Sequence, residues 1–258
     1  MRSGLNYFYI YFFSFSPIFY SGNALSLPKE ENTKLEQQIK YYSVGLGATR
    51  VIYNSNSRAE SVSVKNPNDY PILVKSKVFM DDKKTEAHIL ANPSLFILDG
   101  EEQSRIRLVR LSDTIVTDRE NLLWLCVKGI PPENDDAWVK EDESAASKSR
   151  QAMLDVKIVV DRCIKIIERP NNIKSTPNDM AGKLEWKNEK GKILINNPGP
   201  HYMIFSFLSI DGVMVKEPGY IPPFSKQYIE HPAGNARSIQ WRIINDLGGD
   251  SRSYANEL

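Results

Sequence analysis

The sequence lacks nearly everything that usually marks an enzyme. Its 258 residues hold only two cysteines and three histidines. His88, His201 and His231 are scattered without metal-ligand spacing, and Cys126 and Cys163 form no CxxC pair. Zinc is therefore set aside, and no metal or cofactor is expected. No GxSxG, HExxH, Walker or dinucleotide glycine pattern occurs, and nothing marks a serine as a nucleophile. Charge of one sign is missing too. The 33 basic and 32 acidic side chains leave a net charge of +1, too weak a field to argue for nucleic acid or an acidic membrane surface. Beyond the N-terminus no apolar run is long enough to span a bilayer, so no stable membrane insertion is expected. Helical periodicity of useful length is also absent.

What is present begins with an apolar, aromatic N-terminus. In 1–24, MRSGLNYFYIYFFSFSPIFYSGNA, the basic Arg2 precedes the apolar run, and the small residues Gly22 and Ala24 close it. This is the pattern of a secretory signal peptide. A membrane anchor is the alternative, but Ser14, Ser16 and Pro17 interrupt a run that is already short. Residues 25–40 read as a polar N-terminal arm that becomes a strand near its end. From Tyr41 onward short β-like runs recur at 43–53, 60–66, 71–80, 94–99, 104–111, 121–130 and 153–168. Asn, Asp, Gly and Pro clusters separate them, as expected of an immunoglobulin-like sandwich. Pro170 stops the pattern, and 171–182 read as a linker and entry segment. A second, proline-punctuated β-rich set follows, with a hairpin turn predicted at Glu189-Lys190-Gly191. The expectation is all-β: two immunoglobulin-like sandwiches in tandem, 41–170 and 171–258.

Three features of this outline invite function. The first is a strand of unusual length, LDVKIVVDRCIKIIERP (154–170), with Leu154, Val156, Ile158, Val160, Ile164 and Ile166 on one face. The second is 131–152, a charged, small-residue stretch too long for an ordinary hairpin loop of about 2–5 residues. Cys126 and Cys163 flank it. In an exported chain two lone cysteines pair and would staple its base, the alternative being two buried thiols. The third is a pair of cations inside strands, Arg50 in GATRVIY and Lys165 in CIKIIERP. Ordinary alternation on a wet sheet face explains them. Convergence on a partner's carboxylate is the alternative.

At these residues the chain resembles the PapD-like periplasmic pilus chaperones. ATRVIYNSNSRAESVSVKN is similar to the family's first two strands, DRENLLWLCVKGIPP to its strand F, and CIKIIERP to the end of strand G. INNPGPHYM and WRIINDLGG are similar to second-domain motifs. The long loop flanked by cysteines resembles the subfamily that serves thin fibrillar or afimbrial surface polymers. The resemblance implies two sandwiches set at an angle and a Cys126–Cys163 disulfide. It implies that Arg50 and Lys165 bind the C-terminal carboxylate of a subunit, and that Leu154, Val156, Ile158 and Val160 form a donor strand, with Ala152 as a fifth member. Glu120, Arg169 and Asp246 would be the charged trio between domains, and Pro170 the linker proline. The implied function is a periplasmic chaperone, not an enzyme. It would hold fimbrial or afimbrial subunits by donor-strand complementation and deliver them to an outer-membrane usher. The oligomeric state of the free chain stays open, and an exposed greasy strand would favour self-capping. The competing class is a tandem immunoglobulin-like adhesin or structural subunit.

Overall fold

A computed structural model describes residues 36–111, 117–131, 153–230 and 235–258. The expected signal peptide, most of the N-terminal arm, the loop at 132–152, Ala152 and His231 lie outside the described residues.

The first half contains β1 (Glu36–Tyr42), β2 (Gly45–Leu46), β3 (Arg50–Asn54), β4 (Ala59–Lys65), β5 (Ile72–Met80) and β6 (Ile89–Asn92). It continues with β7 (Leu95–Leu98), β8 (Gln103–Arg110), β9 (Asn121–Ile130), β10 (Met153–Val159) and β11 (Asp161–Arg169). A sheet of order β3-β11-β9-β5-β7 packs on one of order β2-β4-β8-β6. Alternate residues point inward, as the pleat requires. Val51, Val62, Val74, Ile106, Leu125 and Ile166 are among the side chains that meet in the core between the sheets. Each fully buried aliphatic side chain contributes about 1.5–3 kcal/mol.

The second half holds the short helix α1 (Pro177–Ala181), then β12 (Glu185–Glu189), β13 (Lys192–Asn197), β14 (Met203–Ile210) and β15 (Val213–Met214). β16 (Tyr220–Ile221), β17 (Ser225–Glu230), β18 (Ser238–Ile243) and β19 (Tyr254–Glu257) complete it. Here a β12-β13-β17 sheet faces a second sheet built around β14 and β18. Trp186, Phe205 and Trp241 anchor a separate core, with Trp186 and Trp241 ring centroids 5.0 Å apart. The turn at Lys190-Gly191 is a two-residue hairpin, with φ of 51° and 77°. Both angles are positive, as the right-handed strand twist favours.

The strands β6, β15, β16 and β19 lie outside the runs read as β from the sequence, and the molecule departs from expectation at three further segments. The long strand is two strands: the regular pairing lapses at Val160, so β10 and β11 have different partners. β10 runs parallel to β1, whereas β11 lies between β3 and β9. The entry segment contains α1, a helix too short to show a 3.6-residue period. It is set instead by a capping box in which Asp179 accepts from Thr176 N at 2.7 Å, with a proline in its first turn. Finally, the 43–53 run is divided into β2 and β3.

β9 explains why NLLWLCVKGI is apolar almost throughout. Leu123, Leu125 and Val127 face the first core, while Leu122 and Trp124 face the other way. There they pack with Ile167 of β11 and Ile204 of β14, so the second half covers the back of the first sheet. Strands buried on both faces read as continuous hydrophobic runs.

Candidate functional site

The row of residues across this covered sheet builds the site. Lys165 stands opposite Arg50 on one side and Trp124 on the other, because β11 pairs in register with both β3 and β9. Directly opposed residues share a face, so Arg50, Lys165 and Trp124 all point toward the second half. Lys165 Nζ lies 4.6 Å from the Trp124 ring centroid and 6.0 Å from that of Tyr220. Arg50 Nη1 reaches Ile244 O at 3.5 Å, and Arg50 Nε is buried with no hydrogen-bond partner among the described residues.

Both cations are held uncomfortably. Burial lowers the Arg50 pKa, and Asp246 only partly offsets this. Burial also lowers the Lys165 pKa, with repulsion from Arg50 and Lys83 adding to it. The nearby acids are engaged elsewhere. Asp246 gives both oxygens to Arg169, and Asp81 Oδ1 accepts from Trp124 Nε1 at 3.3 Å and from the Tyr220 hydroxyl at 2.6 Å. Two half-buried cations, one with an orphaned donor, carry the charge and donors that an anion with two oxygens would satisfy.

The residues flagged as an interdomain trio do meet. Arg169 Nε donates to Glu120 Oε1 at 2.6 Å, and its two Nη atoms form a fork with Asp246, both at 2.7 Å. Burial alone would depress the Arg169 pKa, but the Asp246 hydrogen bonds and the Glu120 charge outweigh it and raise the pKa above its ordinary value. Glu120 is wholly buried and also accepts from Tyr202 N at 2.8 Å, with His201 Nδ1 at the same distance from Oε1. His201 and Tyr202 were not foreseen as its partners. They lie more than 80 residues from Glu120, where no spacing rule reaches. A second unforeseen polar cluster surrounds buried Glu168, which meets His88, Arg110 and Asn121.

Cys126 and Cys163 face each other across β9 and β11 and are joined as a disulfide. It closes a loop of sequence separation 37 at the foot of β10. On the chain-entropy argument it constrains the unfolded state by roughly 3–4 kcal/mol. Replacing both cysteines by serine is therefore expected to lower the midpoint of thermal unfolding by about 10 °C. An unchanged midpoint under oxidising conditions would mean that the bond adds nothing.

β10 leads away from this staple. Its Val156 and Ile158 stand beside Ile39 and Tyr41 of β1. Val156, Ile158 and Val160 are only partly covered, and Leu154 is 50% exposed. Ile39 and Tyr41 are likewise exposed, at 46% and 55%. The signal that could have revealed them is the alternation around Lys40 in EQQIKYY. A two-stranded ribbon is marginal by itself, and one with an exposed greasy face is a surface awaiting cover.

Comparison with known proteins agrees with this geometry. Residues 43–174 match the model for the pili and flagellar-assembly chaperone PapD N-terminal domain, and residues 179–255 that for the pili assembly chaperone PapD C-terminal domain. The chain is 38% identical to chaperone protein AggD of Escherichia coli over 224 residues, 87% of this chain and 88% of that one. It is 37% identical to chaperone protein caf1M of Yersinia pestis over 225 residues, 85% and 87% of the two chains. Among solved structures, the E. coli chaperone DraB superposes with a TM-score of 0.75 at 41% identity, covering 86% of this chain and all of that one (100%). The Salmonella enterica SafB chaperone, solved with the SafA pilin, gives 0.76 at 38% identity, covering 87% of this chain and 100% of that one. Matched in both halves by the models for its two domains, the chain belongs to the PapD family of pilus-assembly chaperones.

Proposed function

We propose that the protein is a periplasmic chaperone that captures fimbrial or fibrillar surface subunits, stabilises them by lending a strand, and delivers them to an outer-membrane usher. The observation that carries this reading is the pairing of an unsatisfied cationic site with an exposed apolar strand on one continuous segment. Arg50 and Lys165 take the subunit's terminal carboxylate. That fixes the register in which Leu154, Val156, Ile158 and Val160 enter the subunit's groove. Register matters because a slip of one residue presents Asp155 and Lys157 instead. Backbone hydrogen bonds supply pairing that tolerates sequence variation, and alternate side chains fill pockets. Four aliphatic side chains give an upper bound of about 6–12 kcal/mol before ordering costs. β1 widens the same face with Ile39 and Tyr41.

On this reading residues 1–24 are the export leader, and 41–170 and 171–258 are the two domains, each with its own core. Glu120, Arg169 and Asp246 fix the domains relative to one another, and Pro170 ends the lent segment. Without a subunit, a second copy of the chain covers the β1–β10 ribbon. We read the protein as a binding module without enzymatic activity. Ser175, His201 and Glu120 do form a hydroxyl–imidazole–carboxylate line, with Ser175 Oγ 2.9 Å from His201 Nε2. However, His201 is wholly buried, and Glu120 is already committed to Arg169 and Tyr202 N. That line is a structural tie.

The test is expression with a donor-strand-deficient subunit, followed by purification from the periplasm. A stoichiometric complex is expected, and the chaperone should be missing from the assembled polymer. Finding it in the polymer would favour an adhesin. Ile158→Asp places a charge in the lent strand and should cut recovered complex at least about tenfold. Undiminished capture by this variant would remove β10 from the mechanism.

A further inference from the structure

The turn after β5 carries a third cation beside the anion site. Asp82 holds this turn closed: Oδ1 accepts from Lys84 N and Thr85 N, both at 2.9 Å, and Oδ2 from Thr85 Oγ1 at 2.6 Å. Lys83 N donates to Met80 O at 2.9 Å, and Lys83 itself has φ of 56°. A non-glycine residue in the left-handed region is strained, and such strain tends to persist where function needs it. The turn is also fastened from outside, through Asp81, to Trp124 and to Tyr220 of the second domain. This places Lys83 Nζ 3.9 Å from the Trp124 ring centroid, the same indole that Lys165 Nζ approaches to 4.6 Å. One ring thus carries two ammonium groups, and Arg50 stands across the sheet from Lys165. The carboxylates nearest to them are bound to other donors. Lys83 is exposed, so an incoming chain can reach it.

We propose that Lys83 is a further specificity-determining residue for subunit capture, closing the anion site from the β5 side so that Trp124 forms a floor between two ammonium groups. The inference rests on the carboxylate-anchor reading of Arg50 and Lys165 and adds a residue to it. Like charges gathered around one ring repel until an anion joins them, which makes the site selective for a terminal carboxylate over a neutral chain end. The repulsion that Lys83 exerts on Lys165 agrees with this arrangement.

The test uses the whole mature protein and two synthetic probes, an N-acetylated hexapeptide of alternating threonine and valine with a free carboxylate and the same peptide as its amide. Binding is titrated by NMR at low and high salt. Wild-type protein should prefer the acid by more than about tenfold, as expected for charge-assisted hydrogen bonds. Lys83→Met should lose about fivefold of that preference with its amide affinity and unfolding midpoint unchanged, and Lys83→Arg should keep it. Full acid preference in Lys83→Met would overturn the role of Lys83 and leave the anchor standing. No difference between acid and amide on the wild-type protein, including binding of neither, would overturn the anchor itself and Lys83 with it.

Discussion

Arg50→Ala and Lys165→Ala are each expected to reduce subunit capture by about two orders of magnitude while the chaperone stays folded. Truncating one partner of a buried charge pair costs about 2–5 kcal/mol of binding, and a tenfold change corresponds to about 1.4 kcal/mol. The folded protein loses little because, among the described residues, neither cation has a hydrogen-bonded carboxylate of its own. Burial, then repulsion by Arg50 and Lys83, leaves Lys165 with a pKa below its ordinary 10.5. A basic group whose folded pKa is depressed makes the folded state bind fewer protons than the unfolded chain. Stability of the free protein therefore rises as pH climbs from the depressed value toward the ordinary one. Lys165→Met removes this liability, so its unfolding midpoint should match or slightly exceed that of wild type at neutral pH. Subunit binding has the opposite sign. A carboxylate beside Lys165 favours its charged form, so capture should weaken as pH rises through the depressed Lys165 pKa. Lys165→Met should abolish that dependence. Retention of full capture by both alanine variants in a pull-down would sink the anchor assignment.

Arg169→Met is expected to be the most damaging single substitution for stability, at about 3–5 kcal/mol, because it strands a buried carboxylate. Glu120 is wholly covered and, among the described residues, keeps His201 and Tyr202 N once Arg169 is gone. Asp246→Asn should be far milder, at about 1 kcal/mol, since Asp246 is 30% exposed and an amide oxygen still accepts from Arg169. The ordering can be checked by denaturant unfolding of both variants. Equal midpoints for Arg169→Met and wild type would show that the trio carries no stability. The trio also sits at the end of β11, four residues beyond Lys165. Arg169→Met should therefore weaken capture beyond its effect on folding, because Tyr220 and Ile244 reach the cation site from the second domain.

The parts of the fold and site that were legible in the sequence are those written in local pattern. Alternation identified β4, β5 and β8, a nearly continuous apolar run identified β9, and a lysine-glycine pair marked the β12–β13 turn. The positions of Arg50, Lys165 and the two cysteines followed from motifs. What stayed hidden depends on tertiary placement. The division of the long strand at Val160 has no sequence mark, since Val159 and Val160 continue the apolar run. It arises because β11 is claimed by β3 and β9, whereas β10 pairs with the N-terminal segment. Trp124 has no mark of its own within an apolar strand, and only the register Lys165–Trp124 shows that it lies under the cation. His201 read as an isolated histidine, and its role as a partner of Glu120 exists only once two domains are packed. Lys83 is one charge among several in a polar turn of the sequence. Its meaning comes from a backbone angle and a ring that β9 supplies.

The most direct test of strand lending is amide hydrogen exchange across β10, measured on the free protein and on the complex with its co-purified subunit. Residues 153–159 should exchange quickly in the free protein at concentrations where it is monomeric, as expected of a marginal two-stranded ribbon. In the complex their protection should rise by at least about 100-fold, as they become an inner strand of another protein's sheet. Identical exchange in the two states, with new protection appearing elsewhere, would contradict it.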